Sequence, residues 1–328
     1  MMTPAVAAAA PAGRALPAEL RALGYRIAAI LIVCLALSIV TDGFLTGSNL
    51  LNVLRQASLV FLIASGATFV LIGGGIDLWI GANVGLSACL AAAVFKSTGT
   101  VPLGVLTALA CGTTVGVLNG ILVTVLRLPP FIATYGMLWM VHGMTYWYMS
   151  GETIYGFPPA FRALGSGYLL GIPVPVYLMA VALTAGGVFA RRTTFGHEIY
   201  AIGANPEAAR LSGIRVRSRL NLVYTLSGAM AGLAAMVYLA RLNSAEADIG
   251  EPLMLPAIAA ILVGGTSLLG GVGSLPGTLL GAMILTLVLN GMNLLAVNAN
   301  WQPLVTGVIV LLAAWIDIVT RRRSEAQA

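Results

Sequence analysis

Residues 56–76 read QASLVFLIASGATFVLIGGGI, twenty-one residues without one charged side chain. A helix needs about 20 mostly apolar residues to cross the hydrocarbon core of a bilayer, so this stretch reads as a membrane span. The same ruler finds nine more candidates, at about 24–41, 81–97, 101–126, 131–149, 173–190, 219–242, 253–270, 274–297 and 301–319. Composition agrees. Only 9% of the 328 residues are charged, against roughly a quarter in a soluble domain. Apolar residues make up 59%, and Gly adds 39 positions. An ordinary soluble enzyme, a disordered chain and a secreted disulfide scaffold are excluded. A membrane β-barrel would alternate apolar and polar residues, whereas these runs are continuous. The expected fold is all-α and polytopic, with about ten transmembrane helices within 24–319. A disordered tail is expected at 1–23 and a short tail at 320–328.

Lys and Arg set the orientation, because positive residues concentrate on the cytoplasmic side. With the N-terminus inside and ten crossings, 13 of the 17 basic residues are cytoplasmic. Only Arg55, Lys96, Arg162 and Arg241 fall outside. Both termini are then cytoplasmic. The net charge of +6 is an orientation signal, and no segment offers the domain-sized basic face that nucleic acid requires.

The loop 191–218 is the longest cytoplasmic segment, and it contains Asn205-Pro206-Glu207-Ala208-Ala209-Arg210-Leu211-Ser212-Gly213. Asn205 suits an N-cap, Pro206 the first helical position, Glu207 the positive helix end and Gly213 the stop. So short a helix is not stable alone. It docks either on the chain's own membrane face or in a groove of a soluble partner. Arg210, Arg215, Arg217 and Arg219 would meet that partner or lipid head groups.

Leu71-Ile72-Gly73-Gly74-Gly75-Ile76-Asp77 places three glycines and a carboxylate after an apolar run. Gly weakens a helix, and an acid at membrane depth pairs, lines a cavity or sits near an interface. Asp77 falls near the cytoplasmic end of its span, as a loop or cap residue or as a solute contact. A faint echo follows: Leu262-Val263-Gly264-Gly265 resembles Leu71-Ile72-Gly73-Gly74, and Leu118-Asn119-Gly120 recurs as Leu289-Asn290-Gly291. Ten full spans would point the two Asn-Gly sites in opposite directions. The echo is therefore chance, or one span is broken or re-entrant. Few polar side chains lie inside spans. Asn119, Tyr135, His142, Tyr146, Asn290 and Asn293 stand out. They suit a hydroxylated solute or bonds between neighbouring helices.

Cys34, Cys89 and Cys111 sit in apolar runs without CxxC spacing and read as small buried hydrophobes. His142 has no companion at metal spacing, so no metal site is expected. There are no paired acids, HExxH or Ser/His constellation within the spans and no GxxxxGK[ST] loop to cradle phosphates. No catalytic residue is identified, and the chain is not read as an enzyme.

Gly74-Gly75-Ile76-Asp77-Leu78, Leu128-Pro129-Pro130-Phe131-Ile132-Ala133-Thr134, residues 207–214, Ala240-Arg241-Leu242-Asn243-Ser244-Ala245, Gly264-Gly265-Thr266-Ser267-Leu268 and residues 289–295 together resemble the permease subunits of ribose-type ABC importers. The resemblance runs from about 48 to 319. It implies an inner-membrane permease that pairs with a second copy or close paralogue. Such a pair sits on a cytoplasmic ATPase and receives a monosaccharide or polyol from an extracytoplasmic binding protein. This chain would bind no cofactor, and ATP would be used by the partner. Asn205, Pro206, Glu207, Ala208, Ala209, Arg210 and Gly213 would form the coupling helix. Loops 151–171 and 243–252, with Glu152, Glu246, Asp248 and Glu251, would receive the binding protein. Asp77, Asn119, Tyr135, Asn290 and Asn293 would be pathway candidates. The family commonly has Ser where Trp79 stands, Asp at Pro256 and a basic residue at Val272. An ion- or proton-coupled secondary transporter is the alternative, and it would need a titrating intramembrane acid such as Asp77.

Overall fold

The computed structural model describes residues 18–325. Helices fill the apolar runs and stop where Gly, Pro or a polar cap interrupts them. In chain order they begin with α1 (Ala18–Val40), α2 (Gly47–Ile72), α3 (Ile80–Thr98), α4 (Val101–Thr124) and α5 (Pro130–Met149). Strand β1 (Ile154–Tyr155), α6 (Pro159–Ser166), β2 (Tyr168–Leu169) and β3 (Ile172–Pro173) lead to α7 (Val174–Arg192), α8 (Thr194–Ala204) and α9 (Pro206–Leu211). The long α10 (Val216–Leu242), β4 (Ser244–Ala245), α11 (Met254–Val263), α12 (Leu275–Leu294) and α13 (Gln302–Glu325) complete the chain. Helix α1 begins inside the stretch read as a tail, and α13 continues past 319. Residues 1–17 and 326–328 of the two expected tails lie outside the described residues.

Among the described residues, eight helices are long and apolar enough to cross a membrane: α1, α2, α3, α4, α7, α10, α12 and α13. Two of the ten expected spans differ. Helix α5 has the length, at 20 residues, but carries Tyr, Trp and His along it. The span expected at 253–270 is corrected. Its helix, α11, has ten residues, about 15 Å at 1.5 Å per residue, roughly half the hydrocarbon thickness.

Helix α10 is the centre, packed against α4, α2 and α3, while α1 and α13 lie at the periphery. Small residues allow the central contacts. Gly112 and Gly116 of α4 face Gly228 and Tyr224 of α10, and a Cβ at Gly116 would lie 2.5 Å from the Tyr224 carbonyl oxygen. Without a hydrophobic drive between helices in lipid, such close approach supplies the packing. At one end of the bundle the Gly271 N–H donates to the Ile72 carbonyl at 2.8 Å, and Gly203 of α8 packs against both residues. At the other end β1 pairs with β4 (Ile154↔Ala245, Tyr155↔Ser244) and β2 with β3. Phe161 of α6 contacts Phe95 there, with ring centroids 4.6 Å apart.

The Gly-Gly echo has a structural meaning. After α2, Gly74 N–H donates to Leu71 and Gly75 N–H to Val70; after α11, Gly265 N–H donates to Leu262 and Thr266 N–H to Ile261. Both are Schellman caps, and the left-handed residue is Gly74 (φ +80°) in one and Gly265 (φ +75°) in the other. The Asn-Gly echo has no such equivalence. Gly120, beside Asn119, packs on Asn221 at the α8–α9 end. Asn290 bonds Asn49 at the start of α2, at the opposite end.

Non-helical chain then runs from Gly73 to Trp79. Asp77 on it is 1% exposed and paired, one of the states open to an acid at this depth. Ser227 Oγ of α10 donates to Asp77 Oδ2, while Oδ1 has no hydrogen-bond partner. Trp79 is fully buried among Leu86, Val115, Met137 and Val141. The break is thus pinned to α10 by one polar pair and sealed by one indole.

Three outcomes are expected from thermal unfolding of the detergent-solubilised protein. Gly228→Val drives a side chain into the Gly112 carbonyl and should cost about 1–3 kcal/mol. Gly187→Ala, with open space around it, should cost nothing. Ser227→Ala leaves a buried carboxyl oxygen without its donor and should cost about 1–3 kcal/mol.

Candidate functional site

Three regions collect the polar groups that the bundle does not consume internally. The first is the α8–α9 end. Asn205 caps α9, its Oδ1 accepting from Glu207 N–H at 3.1 Å and Ala208 N–H at 3.0 Å. Gly213 follows at φ +83°. Arg210 Nε donates to Glu207 at 3.1 Å, and this bond holds the Glu207 carboxyl below the usual carboxylate range. The helix lies exposed except for Ala209, which packs inward. Helix α8 beside it was not legible as a separate element. Thr193 caps it by accepting from Gly196 N–H at 3.1 Å, a signal hidden in a loop that reads as merely polar. Glu198 of α8 accepts from Arg219 of α10, which also lies over the Phe195 ring at 4.2 Å. The Arg219 bond holds the Glu198 carboxyl low. This tie between α8 and α10 is therefore present at neutral pH and lost as pH falls through that lowered value.

The second region is the opposite end. The β1–β4 pairing sets Glu152, two residues before β1, and Glu246, the residue after β4, on adjoining strand ends. Glu152, Glu246, Asp248 and Glu251 are all exposed. Sequence reasoning missed Arg55 of α2 here. Its guanidinium lies 4.8 Å from the Tyr168 ring centroid, and its Nε and one terminal nitrogen are buried without an acceptor. No local pattern announces this, because it depends on the β2–β3 hairpin folding back over α2.

The third region is a cleft of about 180 Å³ between α3, α5 and α11. Tyr135, Trp139 and His142 form its α5 wall, and Gly81, Glu251 and Met254 lie across from them. Gly81 packs against the Gly250 carbonyl, so the first turn of α3 meets the lead-in to α11. The three α5 residues belong to a continuous row. Phe131 and Tyr135 stack at 5.9 Å, Tyr135 and Trp139 meet at 6.3 Å, Trp139 and His142 at 5.8 Å, and His142 and Tyr146 at 4.6 Å.

The pathway candidates therefore separate. Tyr135 lines the cleft, together with Glu251, which the sequence grouped with docking. Asp77 is buried against Ser227. Asn119 is fully buried with both amide atoms unpartnered. Asn290 and Asn49 exchange hydrogen bonds at 2.8 and 3.1 Å, and Asn293 accepts from Gln302 at 2.8 Å. The last two asparagines join helices. Among the described residues, no group of three His, Cys, Asp or Glu side chains could hold a metal ion.

Residues 49–314 match the family described as branched-chain amino acid transport system / permease component. The chain is 40% identical over 290 residues to the ribose import permease protein of Bacillus subtilis, covering 88% of this chain and 90% of that one. It is 39% identical over 293 residues to the Escherichia coli ribose import permease protein, covering 88% and 91%. It is 33% identical over 361 residues to the Escherichia coli xylose transport system permease protein, covering 91% and 92%. No solved structure matches. With eight span-capable helices and a family match across nearly the whole bundle, the chain belongs to this permease family and is a multi-pass inner-membrane transport protein.

Proposed function

We propose that the chain is the membrane-spanning subunit of an ABC importer that carries a monosaccharide or related polyol inward by alternating access. The observation that carries this is near-full-length similarity to permeases that move ribose and xylose. Two copies, or this chain and a close paralogue, would form the membrane pore. A separate ATPase would supply the energy, and an extracytoplasmic binding protein would deliver the solute. The eight long helices, α5, and α11 with its lead-in loop make ten crossings, an even number that returns the chain to its starting side. The Arg-rich 191–219 segment supports the α8–α9 end as cytoplasmic, and both termini would lie there.

The exposed, doubly capped α9 supports a coupling role. Asn205, Pro206, Glu207, Ala208, Ala209, Arg210 and Gly213 would seat this rigid turn in a groove of the ATPase. Its tie to α10 through Glu198 and Arg219 gives nucleotide-driven motion a route to the bundle centre. At the other end, Glu152, Glu246 and Asp248 would face the binding protein.

Two measurements test this reading. Proteoliposomes containing the permease with its ATPase and binding protein should accumulate D-ribose or D-xylose only with ATP inside the ATPase compartment. Equal uptake without any ATPase overturns it in favour of a secondary transporter. Gly213→Val strains a left-handed position by about 1–2 kcal/mol, and Glu207→Lys reverses the charge at the first turn. Both should lower uptake and ATPase co-purification by about tenfold, the effect of roughly 1.4 kcal/mol. Unchanged uptake and association in both variants would remove the coupling role.

A further inference from the structure

The cleft between α3, α5 and α11 has the properties of a ligand site, and we infer that it is a saccharide subsite on the transport path. There Trp139 stacks on one sugar ring, while Tyr135, His142 and Glu251 take its hydroxyls. The inference rests on the reading of the chain as a sugar permease and names a place where the solute pauses.

Size comes first. A volume near 180 Å³ is well above the roughly 10–15 Å³ that admits one water, and it leaves room for a single pentose or hexose ring. Surface chemistry comes second. Trp139 is 57% exposed and Tyr135 47%, although each stands in a row of mutually contacting rings that limits its rotation. An aromatic face is electron-rich, and the C–H side of a sugar ring is its electropositive, weakly hydrated side. The opposite wall is polar. The Glu251 carboxylate accepts from two neighbouring hydroxyls, and the Tyr135 hydroxyl and the His142 ring each both donate and accept. The first turn of α3, at Gly81, adds an amide that has no acceptor within its own helix.

Charge decides the class. The lining residues include one acid and no Lys or Arg. An anionic solute such as a sugar phosphate would bring its charge against Glu251 and find no cation to offset it. A neutral polyol meets no such repulsion. One aromatic wall, a few polar groups and a partly open mouth bind weakly, which suits a site that must also release its ligand.

The test uses the importer reconstituted with its own ATPase and binding protein, with D-ribose and D-xylose as probes. Trp139→Leu keeps apolar bulk and removes the aromatic face, so uptake should fall about tenfold, the effect of one stacking contact near 1.4 kcal/mol. Trp139→Phe should keep most of the rate. Glu251→Gln, at an exposed position, should lower uptake while leaving sugar affinity of the isolated binding protein unchanged. ATPase co-purification is measured for every variant, which separates loss of assembly from loss of the subsite. If Trp139→Leu does not assemble, Trp139→Phe and Glu251→Gln carry the test. Wild-type uptake rates in Trp139→Leu, or in Glu251→Gln where Leu is not tolerated, overturn the subsite and leave the permease reading standing. Equal loss in Trp139→Phe and Trp139→Leu overturns the stacking assignment in favour of packing. Failure of the wild-type importer to move either sugar overturns the sugar reading, and the subsite with it.

Discussion

In the bilayer core no water is available to satisfy a peptide group, so each N–H and C=O must find a partner within the protein. Most of this chain meets the demand with continuous helices. At two places it does not, and the rest of the arrangement follows from how those places are closed. The ends of α2 and α11 are finished by the same Schellman geometry, with Gly74 and Gly265 in the left-handed conformation. The chain beyond the first is held to α10 by Ser227 and sealed by Trp79, which packs among residues of α3, α4 and α5. The chain beyond the second returns to bond the end of α2 through Gly271 and Ile72. Irregular backbone is tolerated here because protein, not lipid, surrounds it.

Such closure requires helices to approach within backbone contact, and this accounts for much of the glycine. Gly112, Gly116, Gly228 and Gly232 bring α4 and α10 together, and Gly81 meets Gly250. That last contact sets the first turn of α3 against the lead-in to α11 and forms the floor of the cleft. Helix α5 covers one side with its aromatic row. The feature that keeps α5 out of the set of eight strongly apolar helices is thus the feature that gives the cleft its chemistry.

Much was legible in the residues. The chain class followed from runs such as 56–76, and the capped turn at 205–213 followed from Asn205, Pro206 and Gly213, because caps are read by their own neighbours. The Gly-Gly echo was visible too. Its partner echo at Asn119 and Asn290 has no structural equivalence, since identical triplets sit at opposite ends of the bundle. The 253–270 run looked like a full crossing because hydropathy measures apolarity and is blind to whether the backbone stays helical. Arg55 under Tyr168 carried no local signal at all.

The sequence by itself therefore determined the membrane class, the basic loop that marks one face and the cap signals. Each of these depends on composition or on residues a few positions apart. Only the tertiary structure decided that Asp77 is held by Ser227, that Asn290 joins α12 to α2, and that Tyr135 and Trp139 share a cleft with Glu251. Those pairings link positions far apart along the chain. They are set by which helix faces carry glycine and can close on one another, a property of packed surfaces that no local window of residues contains.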